Sequence, residues 1–235
     1  MSPPPGLFLD NPHQVCKLHK SLYGLKLASR EWHTTLSSAL ISLGYSHSQA
    51  DQALFTKSSA TSFTSLLVYV DDMVLAGDNY AEIQAVKHFL DQTFKIKDLG
   101  TLRFFLGLEI ARNPDGIHLN QRVYILSLLE DSGSLAAKPA KVPFDPSLKL
   151  QLDQGTHLAD VLSYRRLVGR LLYLTISRPY IAYVVQKLSL FMCKSMDVHY
   201  KAALHVLHYL KSSPTQGLFF SSSSSLKLAG FSDSD

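Results

Sequence analysis

Cysteine is scarce in this sequence of 235 residues: Cys16 and Cys193 stand far apart and in no metal-ligand spacing. That excludes a disulfide framework, and the plain expectation is two reduced thiols in a cytoplasmic or nuclear compartment. Long apolar runs are lacking as well. Nothing approaches the run of about 18 apolar residues that a membrane span needs, so no membrane partner is expected. The opening Met1-Ser2-Pro3-Pro4-Pro5-Gly6 has no basic flank and no apolar stretch, and reads as neither a signal nor a transit peptide. Charge is sparse and nearly balanced, with 18% charged residues, a net charge of +4 and a pI near 8.9. Such mild basicity permits contact with nucleic acid, and favours it only where the cations share one face. With 46% apolar residues the chain has the makings of one large domain or two small ones, each with a packed core.

The first dozen residues hold four of the ten prolines and read as an extended lead-in. From 27 to 43, Trp32, Leu36, Leu40 and Leu43 recur at helical spacing, and Gly44 ends the pattern. Strands are expected over 53–56 and 63–70 around a Ser/Thr-rich loop, then a short strand over 73–76 and a helix over 80–90. Asn113-Pro114-Asp115-Gly116 is a strong hairpin turn between strands over 102–111 and 117–119. A helix over 124–130 follows. Residues 140–155 read as a linker. Helices are then expected over 164–175, 181–192 and 198–210, with Pro179 opening the second. The Ser221 to Ser225 run separates two short strands, 218–220 and 226–231.

The sharpest local feature is Leu67-Val68-Tyr69-Val70-Asp71-Asp72-Met73-Val74-Leu75. Two acids inside a continuous buried strand would be costly, so a tight turn between two strands explains them better. Magnesium prefers carboxylate oxygens, and phosphoryl transfer with two ions needs several carboxylates aimed at one spot. An arbitrary Asp-Asp pair is, by contrast, usually a solvated turn.

The surroundings of this pair decide between those readings. Tyr69-Val70-Asp71-Asp72 between apolar strands resembles the metal-binding hairpin of reverse transcriptases. The segment Lys20-Ser21-Leu22-Tyr23-Gly24-Leu25-Lys26-Leu27-Ala28-Ser29-Arg30-Glu31-Trp32 resembles the motif just upstream in copia-type retrotransposon enzymes. Ile96-Lys97-Asp98-Leu99-Gly100, Phe104-Phe105-Leu106-Gly107-Leu108-Glu109-Ile110 and the run from Tyr164 to Thr175 resemble later segments in the same order. The closing Gly230-Phe231-Ser232-Asp233-Ser234-Asp235 resembles the start of the family's RNase H.

The resemblance implies an α+β fold, an incomplete right-hand polymerase palm and fingers followed by a mainly helical thumb and connection. It divides the chain into residues 1–139 (partial fingers, palm and thumb start), 140–215 (linker and helical connection) and 216–235 (first strands of a truncated RNase H domain). It implies RNA-directed DNA polymerase chemistry within a Gag-Pol polyprotein of a transposable element. The partners would be an RNA or DNA template-primer and deoxynucleotides, with Mg2+ as cofactor and Mn2+ as the alternative ion. Asp71 and Asp72 would be the catalytic metal ligands. Tyr23, Gly24, Lys26, Arg30 and Tyr69 would bind nucleotide or template, and the hairpin over 104–112 would correspond to the primer grip. Asp233 would be a metal ligand only in a complete RNase H domain.

Several residues depart from the family's pattern. Another metal-binding Asp is expected on an apolar strand upstream of Tyr23. The acids before the hairpin, Asp10, Glu31 and Asp51, do not follow such a strand. The chain alone is therefore expected to be catalytically incomplete, with the palm strand and RNase H supplied by another polypeptide. The alternative is a non-enzymatic retroelement remnant that at most binds nucleic acid. Leu27 stands where the family usually has Gln and cannot make that amide's hydrogen bonds. Tyr180 stands for the usual Asp after Arg178-Pro179. Arg166 and Arg170 share a helix face at i, i+4 and could hold a nucleic-acid backbone. His199, His205 and His208 fall on one helix, where contact with phosphate or solvent is expected over metal binding.

Overall fold

The computed structural model describes residues 6–7, 11, 13–20, 22, 24–70, 72–145, 147–225, 227 and 229–232. Helices and two antiparallel sheets alternate in a mixed architecture, as the α+β expectation requires. The chain divides into two compact units, residues 1–100 and 101–235.

The first unit holds α1 (Ala28–Ser42), β1 (Ser46–His47), β2 (Leu54–Ser58), β3 (Phe63–Tyr69), β4 (Asp72–Gly77) and α2 (Tyr80–Phe94). The strands form an antiparallel sheet in the order β1-β2-β3-β4. Along β3, Thr64, Leu66 and Val68 are buried while Phe63 and Tyr69 are exposed, the period of two that a sheet covered on one face requires. Leu36 and Leu40 of α1, Phe55, Leu66 and Val68 of the sheet, and Val86 and Leu90 of α2 make one core. Asn79 caps α2 by accepting the backbone N–H groups of Ala81 (3.0 Å) and Glu82 (3.2 Å).

The second unit holds β5 (Phe104–Phe105), β6 (Leu108–Asn113), β7 (Gly116–Asn120), α3 (Arg122–Asp131), α4 (Val161–Leu174), a 3-10 turn (Pro179–Ile181), α5 (Ala182–Ser189), α6 (Asp197–Lys211) and β8 (Gly217–Ser221). Its sheet runs β5-β6-β7-β8, and the core lies among α3, α4, α5 and α6, around Tyr164, Leu171, Val185, Val206 and Leu210. Helix α4 starts at Val161, three residues before the expected 164, because Asp160 accepts the N–H groups of Leu162 and Ser163. Strand β8 lies beside β7, with Asn120 opposite Gly217 and Gly116 opposite Ser221. A Cβ on Gly217 would fall onto the Leu119 carbonyl oxygen, so only glycine permits this close approach.

The two units meet at residues 100 and 101, and β8 lies in the same sheet as β6 and β7. Two expectations differ from this picture. Of the expected strand over 226–231, Leu226 and Leu228 lie outside the described residues, and the rest carry no strand assignment. The segment 140–155 has no regular structure, but it is no free linker. Phe144, Leu148 and Leu150 pack against the helical core. Along α6, His205 Nε2 lies 3.0 Å from the Val142 carbonyl oxygen, and Ala140 N donates to His208 O at 3.1 Å. At the start of that helix Asp197 Oδ1 accepts the N–H of Thr156 at 2.9 Å. Low regularity hid these contacts, since apolar residues in an irregular strap show no period.

His199 ties the strap to the start of α6. It is fully buried, and its ring stacks on Phe191 with centroids 4.0 Å apart. Nδ1 accepts the N–H of Met196 at 3.0 Å, so the neutral ring carries its proton on Nε2 and donates it to Gln151 O at 3.0 Å. A second proton would set Nδ1–H against the Met196 N–H. Burial accordingly pushes the His199 pKa below its ordinary 6.5, and burial with the neighbouring His205 and Lys211 lowers that of His208. The unfolded chain thus binds more protons than the folded one below pH 6.5, and stability falls as pH drops through that value. Thermal melts should show this loss between roughly pH 6.5 and 5, above the carboxylate range. A His199→Gln variant, though less stable throughout, should show a shallower slope. An unchanged slope would remove His199 from the account.

Candidate active-site hairpin

The site is built on the β3–β4 hairpin. Tyr69 pairs with Asp72, so the two strands are joined by a two-residue link that begins at Val70. Such a tight turn calls for positive φ, and Val70 adopts φ +52° although it is β-branched. That conformation costs about 1–2 kcal/mol for a side chain of this kind. A partner holds it: the indole Nε1 of Trp32 donates to the Val70 carbonyl oxygen at 2.6 Å. Trp32 lies on α1 and meets the Phe94 ring edge-on at 5.1 Å. The start of α1 is thereby anchored to the tip of the hairpin.

Asp72 is exposed at the first position of β4, and Tyr69 opposite it is 55% exposed. Asp71 and Tyr23 lie outside the described residues, as does Asp233. Gly24 is exposed with φ +85°, open space surrounding the place where a Cβ would be. Lys26 and Arg30 are exposed, and among the described residues neither side chain has a hydrogen-bond or ion-pair partner. Arg30 sits one residue before Glu31 and two before Trp32, in the helical turn that Trp32 fastens to the hairpin. Leu27 occupies the N-cap position of α1 at 60% exposure and makes no side-chain cap.

A second hairpin, within the other unit, repeats the same device. Phe105 pairs with Leu108, and the intervening Leu106 and Gly107 both take positive φ, +47° and +79°. The hydroxyl of Tyr173 on α4 donates to the Leu106 carbonyl oxygen. Of the two arginines on α4, Arg170 is bound to Asp131 at 2.5 Å and to Ser127 Oγ at 3.3 Å, whereas Arg166 has no side-chain partner among the described residues. The expected pair of free cations is therefore one.

Residues 1–146 match the family described as reverse transcriptase (RNA-dependent DNA polymerase). The chain belongs to that family. It is similar along its whole length to the retrovirus-related Pol polyprotein from transposon RE1 of Arabidopsis thaliana, at 42% identity over 100% of the chain and 16% of the relative. It is also similar to the corresponding polyprotein from transposon TNT 1-94 of Nicotiana tabacum, at 35% identity over 95% of the chain and 18% of the relative. A putative transposon Ty5-1 protein of Saccharomyces cerevisiae matches at 31% identity over 98% of the chain and 76% of its own length. The chain thus spans about one sixth (16%) of the RE1 polyprotein, as it does of the RE2 polyprotein. The copia-type assignment stands on these relatives. No solved structure matches the chain. Among the described residues no helix is long and apolar enough to cross a membrane.

Membership in this family implies divalent metal ions, and the donor set can be tested for them. Among the described residues no group of three His, Cys, Asp or Glu side chains converges. Asp51 is committed locally, its Oδ1 accepting the N–H of Ala53 at 2.9 Å, and Glu31 lies on α1 without a neighbouring acid. The described residues of this chain do not make a complete two-ion site.

Sequence reading missed the anchoring role of Trp32 and Tyr173. Their partners lie 38 and 67 residues away, beyond any local pattern. The one available signal was that Trp32 is the chain's single tryptophan. Replacing it tests the anchor. Trp32→Phe keeps the ring against Phe94 and removes one hydrogen bond, so stability should fall by about 1–2 kcal/mol, given the Val70 strain left unsupported. Amide exchange at Val70 and Asp72 should accelerate more than exchange in α2. Equal acceleration everywhere would mean that the bond fixes no local geometry.

Proposed function

We propose that this chain is part of the polymerase region of a copia-type Pol polyprotein, and that its β3–β4 hairpin presents Asp71 and Asp72 to the metal ions of template-directed DNA synthesis. The observation that carries this reading is the two-residue turn that puts Asp72 in solvent opposite Tyr69 and is pinned by Trp32. In this reading magnesium is the ion, with manganese as the alternative. Tyr23, Gly24, Lys26, Arg30 and Tyr69 contact the incoming nucleotide or the template. The hairpin around Leu106 and Gly107 serves as primer grip. The regions 1–139, 140–215 and 216–235 correspond to fingers and palm, connection, and the start of RNase H.

In this reading a further carboxylate comes from a strand outside the described residues, in this polypeptide or in another. Strand β4 offers a place for it, being an edge of its sheet among the described residues. An unpaired edge is a ready template for an added strand. A second reading, a remnant that binds nucleic acid without polymerase activity, is favoured by the incomplete donor set among the described residues.

The first reading requires nucleic-acid contact and the second permits it, and salt dependence tests it. Lys26, Arg30 and Arg166 are among the cations that have no side-chain partner among the described residues, so binding of a labelled primer-template duplex should weaken steeply between about 50 and 200 mM salt. A Lys26→Ala, Arg30→Ala double variant should reduce the slope of log affinity against log salt by roughly two, about one per phosphate contact. Affinity that stays constant across this range would rule out phosphate-driven binding.

A further inference from the structure

A groove of about 500 Å³ separates α1 from the β1–β2 connection and is lined by His33, Ser37, His47, Ser48, Gln49 and Gln52 among others. It belongs to the first unit and has no part in the hairpin chemistry. No charged side chain lines it. Its two imidazoles lie with ring centres 6.1 Å apart and planes inclined by 31°, both packed on the buried ring of Phe55.

The hydrogen bonds around these rings fix their tautomers. His47 Nδ1 lies 3.2 Å from the backbone carbonyl oxygen of Gln52, an acceptor only, so Nδ1 carries the proton and donates it. His33 Nδ1 lies 3.4 Å from Ser37 Oγ, and that hydroxyl already donates its own proton to His33 O at 2.6 Å. The contact is satisfied only when His33 also carries its proton on Nδ1. Both neutral rings are thereby left with an Nε2 lone pair, and among the described residues neither Nε2 has a partner. A hydrogen bond donated by Nδ1–H is what fixes the ring orientation of a histidine that binds metal through Nε2.

From this we infer that His33 and His47 together form a binding site for a borderline divalent transition-metal ion such as Zn2+. With Zn–N bonds of about 2.0–2.1 Å, a ring centre lies about 3.2 Å from a bound ion, so two rings on one ion sit at most about 6.4 Å apart. That limit is the linear arrangement; a tetrahedral angle puts the ring centres about 5.2 Å apart, so the observed 6.1 Å places both rings within reach of one ion once they close by about 0.9 Å. No third His, Cys, Asp or Glu joins the pair among the described residues. The remaining positions fall to water and to the neutral oxygens of Ser48, Gln49 and Gln52, which makes the site open and exchangeable. Imidazole nitrogen also sets its selectivity: Zn2+, Ni2+ and Cu2+ bind, and Mg2+, which prefers oxygen, does not. Calcium is disfavoured for the same reason.

The test is a titration of the full chain with zinc chloride, followed by the imidazole nitrogen resonances of all ten histidines. The expected result is that the Nε2 signals of His33 and His47 move together by one equivalent, with no response to Mg2+. His47→Ala, at an exposed position, should abolish the shift at His33 and weaken this binding at least about tenfold, the loss typical even of outer-shell partners. The inference is overturned if the two rings respond at different zinc concentrations. It is equally overturned if His33 responds unchanged in His47→Ala. The wild-type titration alone decides the first outcome, whatever the variant's stability.

Discussion

A preparation of this 235-residue chain, given primer, RNA template, deoxynucleotides and Mg2+, is expected to leave the primer unextended. Phosphoryl transfer depends on charge stabilisation by ions held in place, and misplacement by about 1 Å can cost roughly 100-fold even with every group present. Asp71 and Asp72 are adjacent in the chain, so one short segment supplies both carboxylates. Several other described acids of the first unit are occupied elsewhere: Asp51 in a local turn, Asp98 with Lys87 at 3.0 Å, Glu82 with Lys57 at 2.8 Å. Loss of a ligand's charge exceeds a misplacement, so the deficit should be larger than 100-fold as an order of magnitude. Magnesium-dependent extension by the chain alone, abolished by Asp72→Asn, would show that its own residues complete the site. If extension returns only when an acid-bearing strand that pairs with β4 is added, the reading of an edge awaiting its neighbour is supported.

The second large effect concerns stability. Arg178 is fully buried, yet every partner of its guanidinium among the described residues is neutral. Nη1 donates to the Tyr180 hydroxyl and, at 3.4 Å, to Gln216 Oε1; Nη2 donates to the Ser213 carbonyl oxygen; Nε has no partner. A buried charge without a counter-charge is expensive, and breaking a buried ion pair typically costs 3–5 kcal/mol. Position 180 is where the family resemblance expects Asp, and it is the residue whose side chain already reaches Arg178. Tyr180→Asp should therefore stabilise the fold. It forfeits the edge-to-face contact with Tyr209, whose centroids are 6.0 Å apart, worth about 0.5–1.5 kcal/mol. The net gain should be about 1–3 kcal/mol, read from denaturant midpoints. In an Arg178→Met background the same substitution should give no gain, because the coupling is then absent. A destabilised Tyr180→Asp chain would mean that the neutral partners already compensate the charge.

Much of this was legible in the sequence, and what was hidden shares one cause. The helices around Leu36 and Leu40, around Val86 and Leu90, and along α6 declared themselves by apolar period, and Asn113 to Gly116 by turn chemistry. The acidic pair stood out because two carboxylates interrupt an apolar run. Hidden were contacts between distant segments: Trp32 on Val70, Tyr173 on Leu106, the strap on α6, and the two histidines over Phe55. None of these has a local period. The buried state of Arg178 was equally invisible, since an arginine in a sequence reads as surface.

The place of β8 has a consequence for how the chain folds. Gly217 pairs with Asn120 across an intervening stretch that holds α3, α4, α5 and α6. Closing so long a loop costs entropy before the ladder returns any of it, and contacts of such sequence separation slow folding. During synthesis β7 must wait with one edge bare while roughly a hundred further residues are made, at about 5–20 residues per second. For those several seconds the exposed edge is a place where a second nascent chain could pair in its stead. The arrival of β8 is thus what ends this exposure of the second unit to misassembly.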